Sequence, residues 1–270
     1  MNTHFDTFAY TNRLRHLPPR QKLLFASTAL VIALCSHPPV QLAIALWFAI
    51  WIVQYAGIPA PFYRKTMMGV GVFLLTSLTV LVINAVPVNQ IHSVQSDRLL
   101  GATIFHWHLY LSTHGLKQAV EIFCRAIAST SCMFFIVFTI PIVELLSIFI
   151  KLGFPVILSE LLLLSYRFIF LLADVAQKSV TAQIARGGYR THKLAMNSVG
   201  LLIRQLLQHT VERYHQLSLG VKARGFNHEF RFWQPQRYQY SRRYAIEAIV
   251  GCVGLIGWEI LIRTFKLWHV

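Results

Sequence analysis

Acidic residues are scarce in this chain: 10 Asp and Glu stand against 25 Lys and Arg in 270 residues, and charged side chains make up only 13%. Soluble domains carry about 25% charged residues. So low a share, with 55% hydrophobic residues and a mean hydropathy of +0.52, excludes an ordinary water-soluble domain. Cysteine is sparse too. Cys35, Cys124, Cys132 and Cys252 all fall in apolar stretches and none forms a CxxC pair, so they are expected to be small buried hydrophobes, not disulfides or metal ligands. No Walker-type glycine loop occurs, so ATP chemistry is expected on another chain. No convergent set of nucleophile, base or metal ligands is found, so no catalytic residue, metal site or cofactor is expected here. No Ala-x-Ala site follows the polar, arginine-bearing lead, and a cleaved signal peptide is not expected.

What the chain does have is long apolar runs. Stretches 23–36, 39–56, 66–86, 116–139 and 244–262 read as helices, and a spanning helix needs about 20 apolar residues, so about five spans are expected. Pro38-Pro39 separates the first two, and Pro87 ends the third. The net charge of +15 would suit a nucleic-acid binder, but the cations sit between the apolar runs, so no nucleic-acid partner is expected. From Asp174 to Arg243 there are 12 Lys and Arg against three acids, the excess that marks a cytoplasmic segment. Arg13, Arg15, Arg20 and Lys22, and then Arg64-Lys65, place the N-terminus and second loop on that same side. The expectation is an all-α polytopic protein of the inner (cytoplasmic) cell membrane, in contact with the lipid bilayer. Residues 1–139 would hold four membrane helices, 140–243 a cytoplasmic helical module, and 244–270 a last membrane helix and tail.

The cytoplasmic block contains two amphipathic helices. In 155–174, Glu160, Arg167 and Asp174 recur every seven residues as a polar stripe on an apolar helix. Over about 194–222, Val199, Leu202, Leu206, Thr210, Leu217 and Val221 form an apolar face. Both helices close alike, with Ala182-Gln183-Ile184-Ala185-Arg186-Gly187 and Gly220-Val221-Lys222-Ala223-Arg224-Gly225, 38 residues apart. A glycine just beyond a helix stops it in a left-handed turn, and a cation there suits the negative end of the helix dipole. Small residues one turn back admit another surface, to which arginine offers a rigid fork of donors.

At these residues the chain resembles the transmembrane T component of energy-coupling-factor (ECF) transporters, in particular the cobalt-transport Q subunit (CbiQ type). The likeness extends over nearly the whole chain. It includes Phe5-Asp6-Thr7-Phe8-Ala9-Tyr10-Thr11-Asn12-Arg13-Leu14 with Pro18-Pro19 and Lys22, then Gly115-Leu116 with Ala119, Arg125 and Ala126, and Thr139-x-Pro141. Gly153-Phe154-Pro155, Tyr166-Arg167-Phe168 and the paired Ala-Arg-Gly motifs complete it. The resemblance implies a non-catalytic coupling subunit of a cobalt or nickel importer, with a vitamin such as biotin as the alternative cargo. Its implied partners are two ATP-binding-cassette ATPase subunits and a separate substrate-binding membrane subunit of cobalt/nickel type. Ala185, Arg186, Gly187, Ala223, Arg224 and Gly225 would dock the ATPases, and Glu160, Tyr166, Arg167 and Asp174 would lie at the coupling-helix interface.

Weaker signals have plainer readings. Glu121 and Arg125, one turn apart, are expected to pair with each other. Asn84 is expected to hydrogen-bond between helices in the third span. Tract 230–240 mixes cations with aromatics just before a membrane run, as an interfacial belt does. His92, His106, His108 and His114 share one polar segment, and imidazole suits cobalt or nickel, but no carboxylate or cysteine completes a ligand set. Replacing His106 and His108 by Ala is therefore expected to leave cobalt uptake by cells within about twofold of wild type, since packing histidines contribute little to a transport step; near-complete loss would point to metal ligation.

Overall fold

The computed structural model describes residues 4–87, 98–104, 107–225, 238 and 240–268. The chain divides into two compact units, His4–Ile142 with Arg237–Val270, and Val143–Gln236.

The first unit is built from α1 (His4–Thr11), α2 (Pro19–Cys35), α3 (Pro38–Ile50), α4 (Ala60–Val82), α5 (Thr113–Thr139) and α9 (Arg242–Trp268). Proline opens α2 and α3 at positions where a missing N–H costs no hydrogen bond. One π-turn, Trp51–Tyr55, extends α3, with the Ala56 amide donating to the Trp51 carbonyl at 2.9 Å. Ala26, Ala29 and Ala33 of α2 are fully buried, as are Ala128 and Cys132 of α5. Small residues at such seams let helices approach where lipid removes the ordinary hydrophobic drive between them. Beside this seam Phe25, Trp47, Phe48, Trp51 and Phe135 form one aromatic cluster; Phe25 stacks on Phe48 at 5.0 Å and meets Phe135 edge-on at 5.6 Å. Gly251 of α9 lies against the Trp47 ring, so closely that a Cβ there would clash with it.

Side chains from neighbouring helices close the helix ends. At the end of α5, Asn12 Nδ2 donates to the Phe138 carbonyl (3.2 Å) and Lys22 Nζ to the Thr139 carbonyl (3.0 Å). Lys22 is buried, at 3% exposed. Its charge sits on the negative end of the α5 dipole. At the end of α2, Gln41 Nε2 donates to the Ala33 and Ser36 carbonyls (3.0 and 2.7 Å), and Arg263 Nη2 to that of Cys35 (3.1 Å). Glu259 of α9 accepts the His37 amide (3.0 Å), the His37 Nδ1 contact (2.7 Å) and Arg263 Nε (3.0 Å).

Among the described residues three helices are long and apolar enough to cross a membrane, namely Pro38–Tyr55, Gly115–Thr139 and Arg242–Thr264. The other two expected runs are also helical, as the 17-residue α2 and the 23-residue α4. The helix of the third run stops at Val82, earlier than the expected 86. Ile83–Pro87 (β1), Arg98–Ile104 (β2) and Trp107–Ser112 (β3) instead form a small antiparallel sheet in the order β1-β3-β2. Asn84 pairs in register with Tyr110, so it is a sheet residue and not a helix-packing one. A β-branched run, Val80, Val82 and Ile83, with a partner strand available explains the switch. Cys124 and Cys132 are buried and Cys252 half-buried, but Cys35 is exposed at the end of α2; all four are free. Glu121 and Arg125 are both exposed and form no ion pair with each other among the described residues.

Gly251→Val is expected to push Trp47 out of the aromatic cluster and to cost about 1–3 kcal/mol by overpacking. Gly254→Val, where a Cβ meets nothing within 4 Å, is the control and should leave thermal unfolding in detergent unchanged.

Candidate coupling and docking site

The second unit contains α6 (Ile142–Lys151), α7 (Val156–Ala185) and α8 (His192–Ala223). Gly153, at φ 95°, turns the chain out of α6, and Pro155 caps the start of α7. Helices α7 and α8 have 30 and 32 residues, hence lengths of about 45 and 48 Å at the rise of an α-helix.

The two helix ends are built alike. Arg186 and Arg224 occupy the last, half-helical position with φ/ψ of −87°/7° and −93°/11°. Gly187 and Gly225 follow in the left-handed region at φ 73° and 66°. The Gly187 amide donates to the Ile184 carbonyl (2.9 Å) and the Gly188 amide to that of Gln183 (2.8 Å), a complete Schellman closure. At the second end the Gly225 amide donates to the Lys222 carbonyl at 3.2 Å, the equivalent bond. Ala185, Arg186, Ala223 and Arg224 are all exposed, and neither arginine forms an ion pair among the described residues.

A six-residue connection folds α8 back along α7. Gln183 Nε2 donates to the Ser198 carbonyl (3.0 Å), Ser198 Oγ to the Gly188 carbonyl (2.9 Å), and the Tyr189 hydroxyl to Gln183 Oε1 (2.9 Å). At the far end of the hairpin the first half of α7 faces the last turns of α8. There Glu160, Leu164 and Arg167 line a cleft of about 460 Å³ with Leu217, Val221 and Arg224. The antiparallel fold thus carries Arg186 and Arg224 towards opposite ends of the hairpin.

The polar stripe on α7 divides. Glu160 and Arg167 meet α8 beside Arg224, whereas Asp174 pairs with Lys178 of its own helix at 2.7 Å, with side chains 63% and 76% exposed. A pair so exposed contributes little to stability. Tyr166 sets its ring edge-on against Phe170 at 5.0 Å. Leu202, Leu206, Thr210, Leu217 and Val221 are half-buried, whereas Val199 is exposed. Large apolar side chains stay uncovered on both helices, among them Ile157, Leu161, Ile169, Leu201, Ile203 and Leu207.

A family model described as cobalt transport protein, CbiQ, matches residues 11–232. The chain belongs to the CbiQ family. Among curated relatives, the cobalt transport protein CbiQ of Rhodobacter capsulatus is 30% identical over 93% of this chain and 92% of its own. An uncharacterized protein of Methanocaldococcus jannaschii is 28% identical over 97% of this chain and 94% of its own. A fused cobalt transport protein, CbiMQ, of Methanocorpusculum labreanum is 27% identical over 82% of this chain, which spans 36% of that longer protein. Family membership and the apolar helices make this a membrane transport protein.

For this CbiQ-family chain the structure adds residues that the sequence did not single out. His37 and Glu259 are joined across α3 and α9, and Arg213 stands with Arg167 and Arg224 in a second cleft of the hairpin. Glu259 carried a signal, being an acid inside an apolar run, which is costly unless partnered. His92 and His106 lie outside the described residues, as do the side chains of His108 and His114 and most of tract 230–240. Among the described residues no group of three or more His, Cys, Asp or Glu could hold a metal ion.

The turn between the helices is sterically exact at one glycine. A Cβ on Gly188 would press on Ser198 Oγ and the Gln183 carbonyl, whereas one on Gly220 meets nothing within 4 Å. Gly188→Ala is therefore expected to open the α7–α8 turn, raising amide hydrogen exchange over 183–198. Gly220→Ala should leave exchange there unchanged and firm α8 by about 0.5–1 kcal/mol.

Proposed function

We propose that this chain is the transmembrane coupling (T) subunit of an ECF-type importer for cobalt or nickel, passing ATP-driven movement to a separate substrate-binding membrane subunit. The observation that carries the proposal is the pair of matching arginine–glycine helix ends at opposite tips of one hairpin. Two matching docking points towards opposite ends of the hairpin suit a pair of ATP-binding-cassette subunits, with Arg186 seated in one and Arg224 in the other. Closure of that pair on ATP would draw the two tips together. The uncovered apolar sides of α7 and α8 would transmit this as a rigid-body tilt of the substrate-binding subunit.

The cargo reading rests on the relatives, two of which carry a cobalt transport name, while a vitamin cargo gains nothing from them. The fusion named CbiMQ supports a second membrane partner close at hand. In this reading ATP is hydrolysed on the partners, the chain lies in the cytoplasmic membrane, and its N-terminus and coupling helices are cytoplasmic. Support for the even number of crossings before the hairpin comes from the first unit, where Lys22 donates to the Thr139 carbonyl and the neighbouring Gln21 to that of Ser241.

The test is the double variant Arg186→Glu/Arg224→Glu. It is expected to insert in the membrane normally, to lose co-purification of the ATPase subunits, and to reduce cobalt uptake to background, because each reversed charge replaces a desolvated cation at an interface and costs several kcal/mol. Retained ATPase binding in that variant would refute the docking roles.

A further inference from the structure

In the first unit α2 and α9 run parallel and side by side. Gln21 Nε2 donates to the Ser241 carbonyl (3.4 Å), the Thr28 hydroxyl meets Cys252 Sγ (3.9 Å), and the Cys35 carbonyl accepts from Arg263 (3.1 Å), so the two helices advance together. Between them lies an open groove of about 920 Å³, near the upper end of the roughly 300–1,000 Å³ of ligand sites. Leu24, Val31, Ile249 and Val253 form its apolar walls and are exposed. The arginine and amide that line it, Arg20 and Gln21, sit at one end beside Tyr240, which precedes Ser241. Farther along, the Ser27 and Thr28 hydroxyls donate to carbonyls of their own helix (2.8 and 2.9 Å) and add little polarity. No Asp or Glu lines the groove, and the exposed Arg20 and Arg242 form no ion pair among the described residues. Arg243, by contrast, pairs with Glu247 at 3.1 Å. From Arg20 to Ile32 the groove follows α2 for about 18 Å at the rise of an α-helix, close to the ~15 Å half-thickness of a hydrocarbon core.

We infer that this groove holds one anionic phospholipid, with an acyl chain along Leu24, Val31, Ile249 and Val253 and its phosphate at Arg20. A guanidinium fork matches phosphate oxygens, and a basic mouth between membrane helices favours an anionic headgroup over a zwitterionic one. Tyr240 stands where aromatic rings sit at headgroup level, and Arg242 adds a cation beside it. The dimensions favour lipid over a helix of another subunit. A spanning helix needs an apolar face through both leaflets, whereas this groove is about one leaflet deep and opens at a charged mouth. The site stands independently of the coupling role proposed above; the orientation in that proposal would set its mouth in the cytoplasmic leaflet.

The experiment is native mass spectrometry of the full chain in detergent, with phosphatidylglycerol and phosphatidylcholine of identical chains as probes. The wild-type chain is expected to retain phosphatidylglycerol about fivefold better, the effect of one cation near an anionic headgroup. Arg20→Gln should remove most of that preference and leave phosphatidylcholine retention unchanged. Arg64→Gln, which removes the same charge from α4, should keep the preference. Ala245→Phe fills the groove and should lower retention of both lipids several-fold, whereas Val250→Phe, outside the groove on α9, should not. Should Ala245→Phe fail to fold, Arg20→Gln at its exposed site still carries the test. Equal loss of preference in Arg20→Gln and Arg64→Gln would overturn the inference, since overall charge would then suffice. Wild-type retention of both lipids by a folded Ala245→Phe would overturn it too. In cells, a photoreactive benzophenone side chain in place of Val253 should attach to phospholipid; attachment to another membrane subunit instead would overturn lipid as the occupant.

Discussion

A helix that ends in or near a bilayer leaves backbone groups that water cannot reach, and each must find a partner within the protein. The first unit of this chain is organised around that constraint. Asn12 and Lys22 reach the last carbonyls of α5, Gln41 and Arg263 those of α2, and Glu259 takes the amide that precedes α3. These bonds tie each helix end to a different stretch of the chain, so satisfying the ends also fixes which helices are neighbours. The aromatic cluster around Phe25 and the alanine seam of α2 then pack between ends that are already tied.

The second unit solves the same problem in another way. Helices α7 and α8 close on their own glycines, so their terminal carbonyls need no side chain from elsewhere. That self-sufficiency frees Arg186 and Arg224 from a capping duty and leaves them exposed at the tips. A cation held at a helix C-terminus gains from the dipole without being consumed by it. Among the described residues the hairpin therefore presents exposed arginines outside any ion pair at its two ends, with uncovered apolar side chains between them.

Much of this was legible in the chain before any coordinates. The apolar runs became helices, the glycines at 187 and 225 took the left-handed turn, and the helical module between the last two runs is present as α7 and α8. Local rules decide such features, since periodicity and the lack of a Cβ act within one or two turns. Where the reading failed, a nonlocal partner had overruled a local preference. Val82 ends α4 because β3 offers Ile83–Pro87 a strand to pair with. Glu121 and Arg125 have the spacing of a helix pair but stand exposed and apart.

By itself, then, the sequence determined the membrane character, the helical periods and the two arginine–glycine stops, because each depends on composition or on residues within a few positions. Only the tertiary structure decided that the hairpin is antiparallel, that its arginines face opposite ways along it, and that Arg167 and Arg213 join just one of them. Those facts depend on the hydrogen bonds of one short turn, at Gln183, Gly188 and Ser198, which set how α8 runs back along α7.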